Sequence, residues 1–105
     1  MQELTVQELK SLIDTKKDFQ LIDIRETYEV ETSTMGGLHI PMGEIIENLD
    51  KIARDKPVII HCKAGGRSAN MVNLLSSQFG FNNLYNLKGG ILSWSDEIDP
   101  SVPKY

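Results

Sequence analysis

Apolar residues along this chain alternate between two spacings, and the alternation lays out its elements. Glu3-Leu4 predicts a short edge strand. Thr5 and Glu8 then form the two ends of a capping box, ahead of a helical stripe at Val6, Leu9, Leu12 and Ile13. Lys16, Lys17 and Asp18 make a polar turn. Gln20 to Ile24 is almost continuously apolar, the mark of a strand covered on both faces. A short helical segment follows from Thr27 to Glu31, and Thr32 to Gly37 is a loop by composition. Leu38-His39-Ile40 is a brief strand stopped by Pro41, and Glu44 to Ala53 predicts an amphipathic helix through Ile45, Ile46, Leu49 and Ile52. Val58-Ile59-Ile60, introduced by Pro57, reads as a buried strand. Ala69 to Phe79 carries Met71, Val72, Leu75 and Phe79 at helical spacing, with Gly80 placed to end the helix. Leu84 to Leu87 is the last strand. Lys88-Gly89-Gly90 turns into a final helix from Ile91 to Ile98, and Pro100 and Pro103 mark a loose tail.

Five strands alternating with helical segments imply an α/β fold with a mainly parallel sheet and helices on both faces. The 105 residues suffice for one domain, residues 1–105, with a single core. A hydrophobic fraction of 40% and a charged fraction of 25% are ordinary for a soluble globular chain. The net charge of −4 and a pI near 5.1 argue against binding to nucleic acid or to a membrane surface. One cysteine allows no internal disulfide. The first residues, Met1 to Leu4, lack the features of a signal peptide, and no apolar run reaches transmembrane length, so the expected location is the cytoplasm.

That one cysteine sits in His61-Cys62-Lys63-Ala64-Gly65-Gly66-Arg67-Ser68, between a predicted strand end and a predicted helix start. A lone cysteine is commonly a small buried hydrophobe. Its neighbours point elsewhere. Ligands of open α/β sheets collect at the carboxyl ends of strands, and the first turn of a helix offers unpaired N–H groups that suit an anion. Gly65 and Gly66 allow successive amides to turn inward, while Lys63 and Arg67 add whole positive charges. A thiol so placed ionises more readily than a free one. The pattern therefore predicts a nucleophilic thiolate in an anion-binding loop.

Four segments in order resemble single-domain rhodaneses, a family of sulfurtransferases. Leu21-Ile22-Asp23-Ile24-Arg25-Glu26 resembles the family's apolar strand ending in Asp-x-Arg, and Gly36 to Pro41 resembles its loop ending in Ile-Pro. Cys62 to Ser68 resembles the active-site loop; Leu84 to Trp94, with Gly89-Gly90-Ile91, resembles the closing Gly-Gly-φ-x-x-Trp segment. The resemblance implies a rhodanese-like fold and a sulfur-transfer chemistry with no cofactor. Cys62 would attack the outer sulfur of a small anionic donor such as thiosulfate and carry it as a persulfide to cyanide or a thiol. The amides of Lys63, Ala64, Gly65, Gly66 and Arg67 would hold that sulfur, Ser68 would belong with them to the substrate-binding loop, and Lys63 and Arg67 would meet the donor's anionic end. A persulfide carrier serving a partner protein in cofactor or tRNA thiolation is the alternative. Cell-cycle phosphatases and arsenate reductases of this fold use His-Cys-x5-Arg. His61-Cys62-x4-Arg67 is one residue shorter and offers a phosphate less room. An inert binding module would require an unreactive Cys62.

At Thr32-Ser33-Thr34 the chain departs from the Gly-His-Ile of many family members, a change expected to reshape the pocket rim and to suit a protein acceptor. Asp23 and Arg25 either shape the pocket or form a structural ion pair at a strand end. His61 points away from Cys62 by strand alternation and is expected to be a hydrogen-bonded core residue. Two histidines and one cysteine, apart from carboxylate clusters, make a poor metal site. Trp94 reads as core.

Overall fold

The computed structural model describes residues 2–105; of the Met1–Leu4 segment, Met1 lies outside them. Five parallel strands, β1 (Glu3–Leu4), β2 (Gln20–Asp23), β3 (Leu38–His39), β4 (Val58–His61) and β5 (Leu84–Leu87), form one sheet in the order β1-β5-β4-β2-β3. The central strand β4 is paired with β2 from Gln20↔Val58 to Asp23↔His61, and with β5 from Val58↔Leu84 to Ile60↔Asn86. All four of its residues are buried, as the apolar run Val58–Ile60 predicts, and His61 is buried with them.

Strand alternation divides the core in two. Ile22, Val58, Ile60 and Leu84 face Met71, Val72 and Leu75 of α3 (Gly66–Gln78), together with Ile45 and Ile52. Ile59 and Leu87 face Val6 and Leu9 of α1 (Val6–Asp14) and Ile91 and Trp94 of α4 (Gly90–Glu97). The short α2 (Thr27–Thr32) follows β2 at the carboxyl end of the sheet. The capping box of α1 forms as its sequence predicts: Glu8 N–H donates to Thr5 Oγ1 at 3.1 Å, and Thr5 N–H donates to Glu8 Oε1 at 3.0 Å.

Three expectations are corrected. Residues 44–53 form no α-helix but two 3-10 segments, Met42–Glu44 and Ile46–Lys51. The amide of Asn48 bonds Ile45 O three residues back, while its own side chain donates to Glu44 O at 2.7 Å, occupying the carbonyl an α-helix would use. Helix α3 begins at Gly66 rather than Ala69, so Gly66, Arg67 and Ser68 form a helical turn, and of the loop's two glycines only Gly65 takes a left-handed conformation, φ +106. The tail is not loose. Val102 is buried against Trp94's layer, its carbonyl accepts from Ser95 Oγ at 2.6 Å, and Ser33 Oγ donates to Pro103 O at 2.5 Å. No described helix is long and apolar enough to cross a membrane.

Candidate active site

Where β4 ends, the chain must turn sharply to enter α3, and Gly65 makes that turn with a backbone angle that side chains disfavour. The turn folds the loop around Cys62 Sγ. The amide of Gly65 donates to the sulfur at 3.2 Å and that of Ser68 at 3.4 Å, with Ser68 Oγ at 3.2 Å. Burial opposes ionisation of this thiol most strongly. The Ser68 hydroxyl and the amides of Ser68, Gly65 and Arg67 together outweigh it, holding the thiol below its ordinary value. Cys62 is only 1% exposed, so the sulfur sits at the floor of its loop rather than on the surface.

The loop is braced from behind by α4. Gly90, at φ +60, lies so close to it that an added Cβ would come within 2.4 Å of Lys63 O and 2.6 Å of Cys62 O. The amides of Ile91 and Leu92 donate to the carbonyls of Cys62 and Lys63 at 3.0 and 3.1 Å. The first turn of α4 thus spends its free donors on the loop's outer side, leaving the loop's own amides to face the sulfur.

The two cations are engaged by protein groups. Arg67 makes a bidentate pair with Glu29 of α2, Nη1 to Oε2 at 2.8 Å and Nη2 to Oε1 at 2.9 Å. That pairing, with help from the Glu26 amide and the Tyr105 hydroxyl, holds the buried Glu29 carboxyl down at about 2, against its desolvation. Tyr105 Oη donates to Glu29 Oε1 at 2.8 Å, and its ring lies 4.5 Å under Lys63 Nζ. Ala64 and Gly66 are exposed at the loop's edge.

Asp23 and Arg25 form a buried ion pair, with Arg25 Nη2 2.8 Å from Asp23 Oδ2 and Nε 3.0 Å from Oδ1. Arg25 also donates to Ser33 O at 2.7 Å and Tyr105 Oη at 2.9 Å. The pair anchors α2, the 32–34 segment and the tail behind Glu29. Ser33, in the segment expected to reshape the pocket rim, is buried and ties this segment to the tail. His61 lies on the far face of the sheet from Cys62 and is fully buried, but neither ring nitrogen has a hydrogen-bond partner among the described residues, contrary to expectation. Asp23 Oδ2 is 3.8 Å from its Nε2, too far to bond. Burial holds the imidazole neutral, with its pKa lowered to about 4. His39 Nε2 donates to Arg25 O at 2.6 Å.

The linear chain does not point to Glu29, Tyr105 or Asn86 as members of the site. Glu29 offers only a local helix-start contact, the Glu26 amide donating to its Oε2 at 2.8 Å, which marks the first turn of α2 and not the site. Tyr105 and Asn86 had none, because their partners are 76 and 18 residues away.

Residues 5–97 match the sequence model of the rhodanese-like domain. The chain belongs to this family. It is 35% identical to the putative sulfurtransferase YtwF of Bacillus subtilis, over 95% of this chain and 96% of that protein. It is 34% identical to the chloroplastic rhodanese-like/PpiC domain-containing protein 12 of Arabidopsis thaliana, and 29% identical to the probable adenylyltransferase/sulfurtransferase MoeZ of Mycobacterium tuberculosis. It covers only 38% and 26% of those two longer proteins, though nearly all of itself. The structure of a rhodanese-related protein from Thermoplasma volcanium superposes with a TM-score of 0.83 at 30% identity, over the whole of both chains. The five-stranded parallel sheet is thus the rhodanese-like fold that the four segments suggested.

Proposed function

We propose that this rhodanese-like domain is a sulfurtransferase that carries sulfane sulfur as a persulfide on Cys62, with thiosulfate as a competent donor. The observation that carries this reading is the convergence of the Gly65 and Ser68 amides and the Ser68 hydroxyl on one buried sulfur. The Cys62 thiolate attacks the outer sulfur of thiosulfate; a bond forms from Sγ to that sulfur as the S–S bond of the donor breaks, and sulfite leaves with the bonding pair. The persulfide's terminal sulfur then carries the negative charge, which amides of the loop would stabilise as those of Gly65 and Ser68 stabilise Sγ in the free enzyme. Cyanide, or an acceptor thiolate, then attacks the terminal sulfur, and the Sγ–S pair returns to Cys62.

A second reading, relay of a persulfide between proteins, is favoured by the charge arrangement. Arg67 is neutralised by Glu29, and Lys63 lies over an aromatic ring. A persulfide donor brings less charge than a thiosulfate dianion and needs less compensation. MoeZ, by its name an adenylyltransferase/sulfurtransferase, combines a similar domain with a second activity, consistent with such a relay.

Intact mass after incubation with thiosulfate tests the shared core of both readings. One added sulfur atom, absent in Cys62→Ser and removed by cyanide, is the expected result. If no sulfur is added from thiosulfate or from a persulfide donor, Cys62 is not a sulfur carrier. Loading from the persulfide donor alone would select the relay.

A further inference from the structure

Ser68 has one hydroxyl proton and three acceptors within reach. Asn86 Oδ1 lies 2.5 Å from Ser68 Oγ, Cys62 Sγ lies at 3.2 Å, and Gly65 O lies at 3.3 Å. The Gly65 carbonyl is the weakest competitor, being the longest contact and already bonded by the Ala69 amide at 3.1 Å. Asn86 stands on β5, on the same side of the sheet as Cys62, and is 2% exposed; Ser68 is fully buried. Asn86 Nδ2 points to Glu3 Oε2 of β1 at 3.4 Å, which orients the carboxamide with its oxygen toward Ser68.

We propose that Asn86 is a positioning residue for the nucleophile, competing with the Cys62 thiolate for the single Ser68 proton. This rests on the reading of Cys62 as the nucleophile. While the sulfur is an uncharged thiol, Ser68 donates to Asn86 and presents a lone pair to Sγ. When the thiolate forms, the proton turns to the sulfur and Asn86 Oδ1 loses its donor in a buried place, which costs free energy. Once a persulfide forms, the charge moves to the outer sulfur and the hydroxyl returns to Asn86. The competition keeps the thiolate from being over-stabilised. That matters because a thiolate's intrinsic nucleophilicity falls as its pKa falls.

Other charges facing Cys62 are Arg67 of α3, held by Glu29 of α2, and Lys63 of the loop, held over Tyr105. Glu3 of β1 stands behind Asn86, and the neutral His61 lies on the opposite face of the sheet. The substitutions below leave all of these residues in place; those at Asn86 also remove its contact to Glu3, a change carried equally in the Ser68→Ala background.

The test follows thiolate absorbance against pH, with Cys62→Ser subtracted to remove the tyrosines. Asn86→Leu, close in shape but without an acceptor, is expected to lower the midpoint by about 0.5 to 1 pH unit, the worth of one hydrogen bond. Asn86→Asp and Ser68→Ala are each expected to raise it. In the Ser68→Ala background, Asn86→Leu is expected to do nothing further. A midpoint that rises or stays put in Asn86→Leu overturns the proposal, as does an equal shift with and without the Ser68 hydroxyl. Should Asn86→Leu fold poorly, the side-chain carbonyl carbon resonance of Asn86 in the unaltered protein tests the same competition. It is expected to titrate with the thiol, and to lose most of that response in Ser68→Ala; indifference to the thiol, or an undiminished response in Ser68→Ala, overturns the idea. These readouts do not involve sulfur transfer, so a failure to form the persulfide counts against the proposed function, whereas a failed titration pattern counts against the proton competition alone.

Discussion

At the residue scale, two buried groups make stability depend on pH in successive ranges. His61 has a folded pKa of about 4, below its ordinary 6.5, because burial disfavours the imidazolium. The unfolded chain therefore binds a proton that the folded chain refuses. Stability is full above about pH 6.5 and declines as pH falls toward 4. Glu29, held at about 2 chiefly by Arg67, repeats the pattern lower down: its contribution is full above about 4.5 and is lost as pH falls toward 2. Urea unfolding should show the protein weaker at pH 5 than at pH 7, by up to about 2 kcal/mol for the His61 part. His61→Leu is expected to flatten that interval, whereas Glu29→Gln should leave its slope intact while weakening the fold at pH 7. An unchanged slope in His61→Leu would assign the acid sensitivity to another group.

At the scale of elements, the site depends on how a helix start and a strand end meet. Loop carbonyls of Cys62 and Lys63 accept the first amides of α4, and this requires the backbone to approach where Gly90 has no side chain. Gly90→Ala would force a Cβ against two backbone carbonyls at a left-handed residue. The expected cost is at least about 2 kcal/mol, from strain and displacement together, with poorer persulfide loading in the mass measurement. If Gly90→Ala loads sulfur and unfolds as the unaltered protein does, α4 does not brace the loop. The same scale explains the missing helix at residues 44–53. Their apolar spacing is helical, yet one Asn48 side chain bonded to Glu44 O diverts the backbone into 3-10 turns.

On the scale of the whole molecule, the tail closes a network that reaches back to the end of β2 and to the active-site loop. Tyr105 joins Arg25, Glu29 and Lys63, residues 80, 76 and 42 positions earlier, and so links the strand-end ion pair to the active-site loop. Tyr105→Phe keeps the ring under Lys63 but removes the hydroxyl, leaving Arg25 Nη1 and Glu29 Oε1 each short of a partner. A loss of about 1 to 2 kcal/mol in urea unfolding is expected. No loss would mean that the tail's hydroxyl is replaced by solvent at little cost.

Much of this protein was legible from local order alone. The α1 capping box, the apolar strands and the Cys62–Ser68 loop each depend on residues within a few positions of one another, where backbone preference and side-chain period act directly. The period-two alternation along β4 likewise assigns His61 and Cys62 to opposite faces, because neighbouring strand residues point apart. What the linear chain did not disclose were partnerships made across distance. Arg67 reads as a free cation for a donor until α2 brings Glu29 to it, and Ser68 reads as a loop hydroxyl until β5 places Asn86 beside it. His61, expected to find a hydrogen bond, was given none by the described residues around it. Local sequence sets which groups can ionise, donate or turn; only packing of the sheet and its helices decides which of them meet, because their contacts lie across elements that share no short-range pattern.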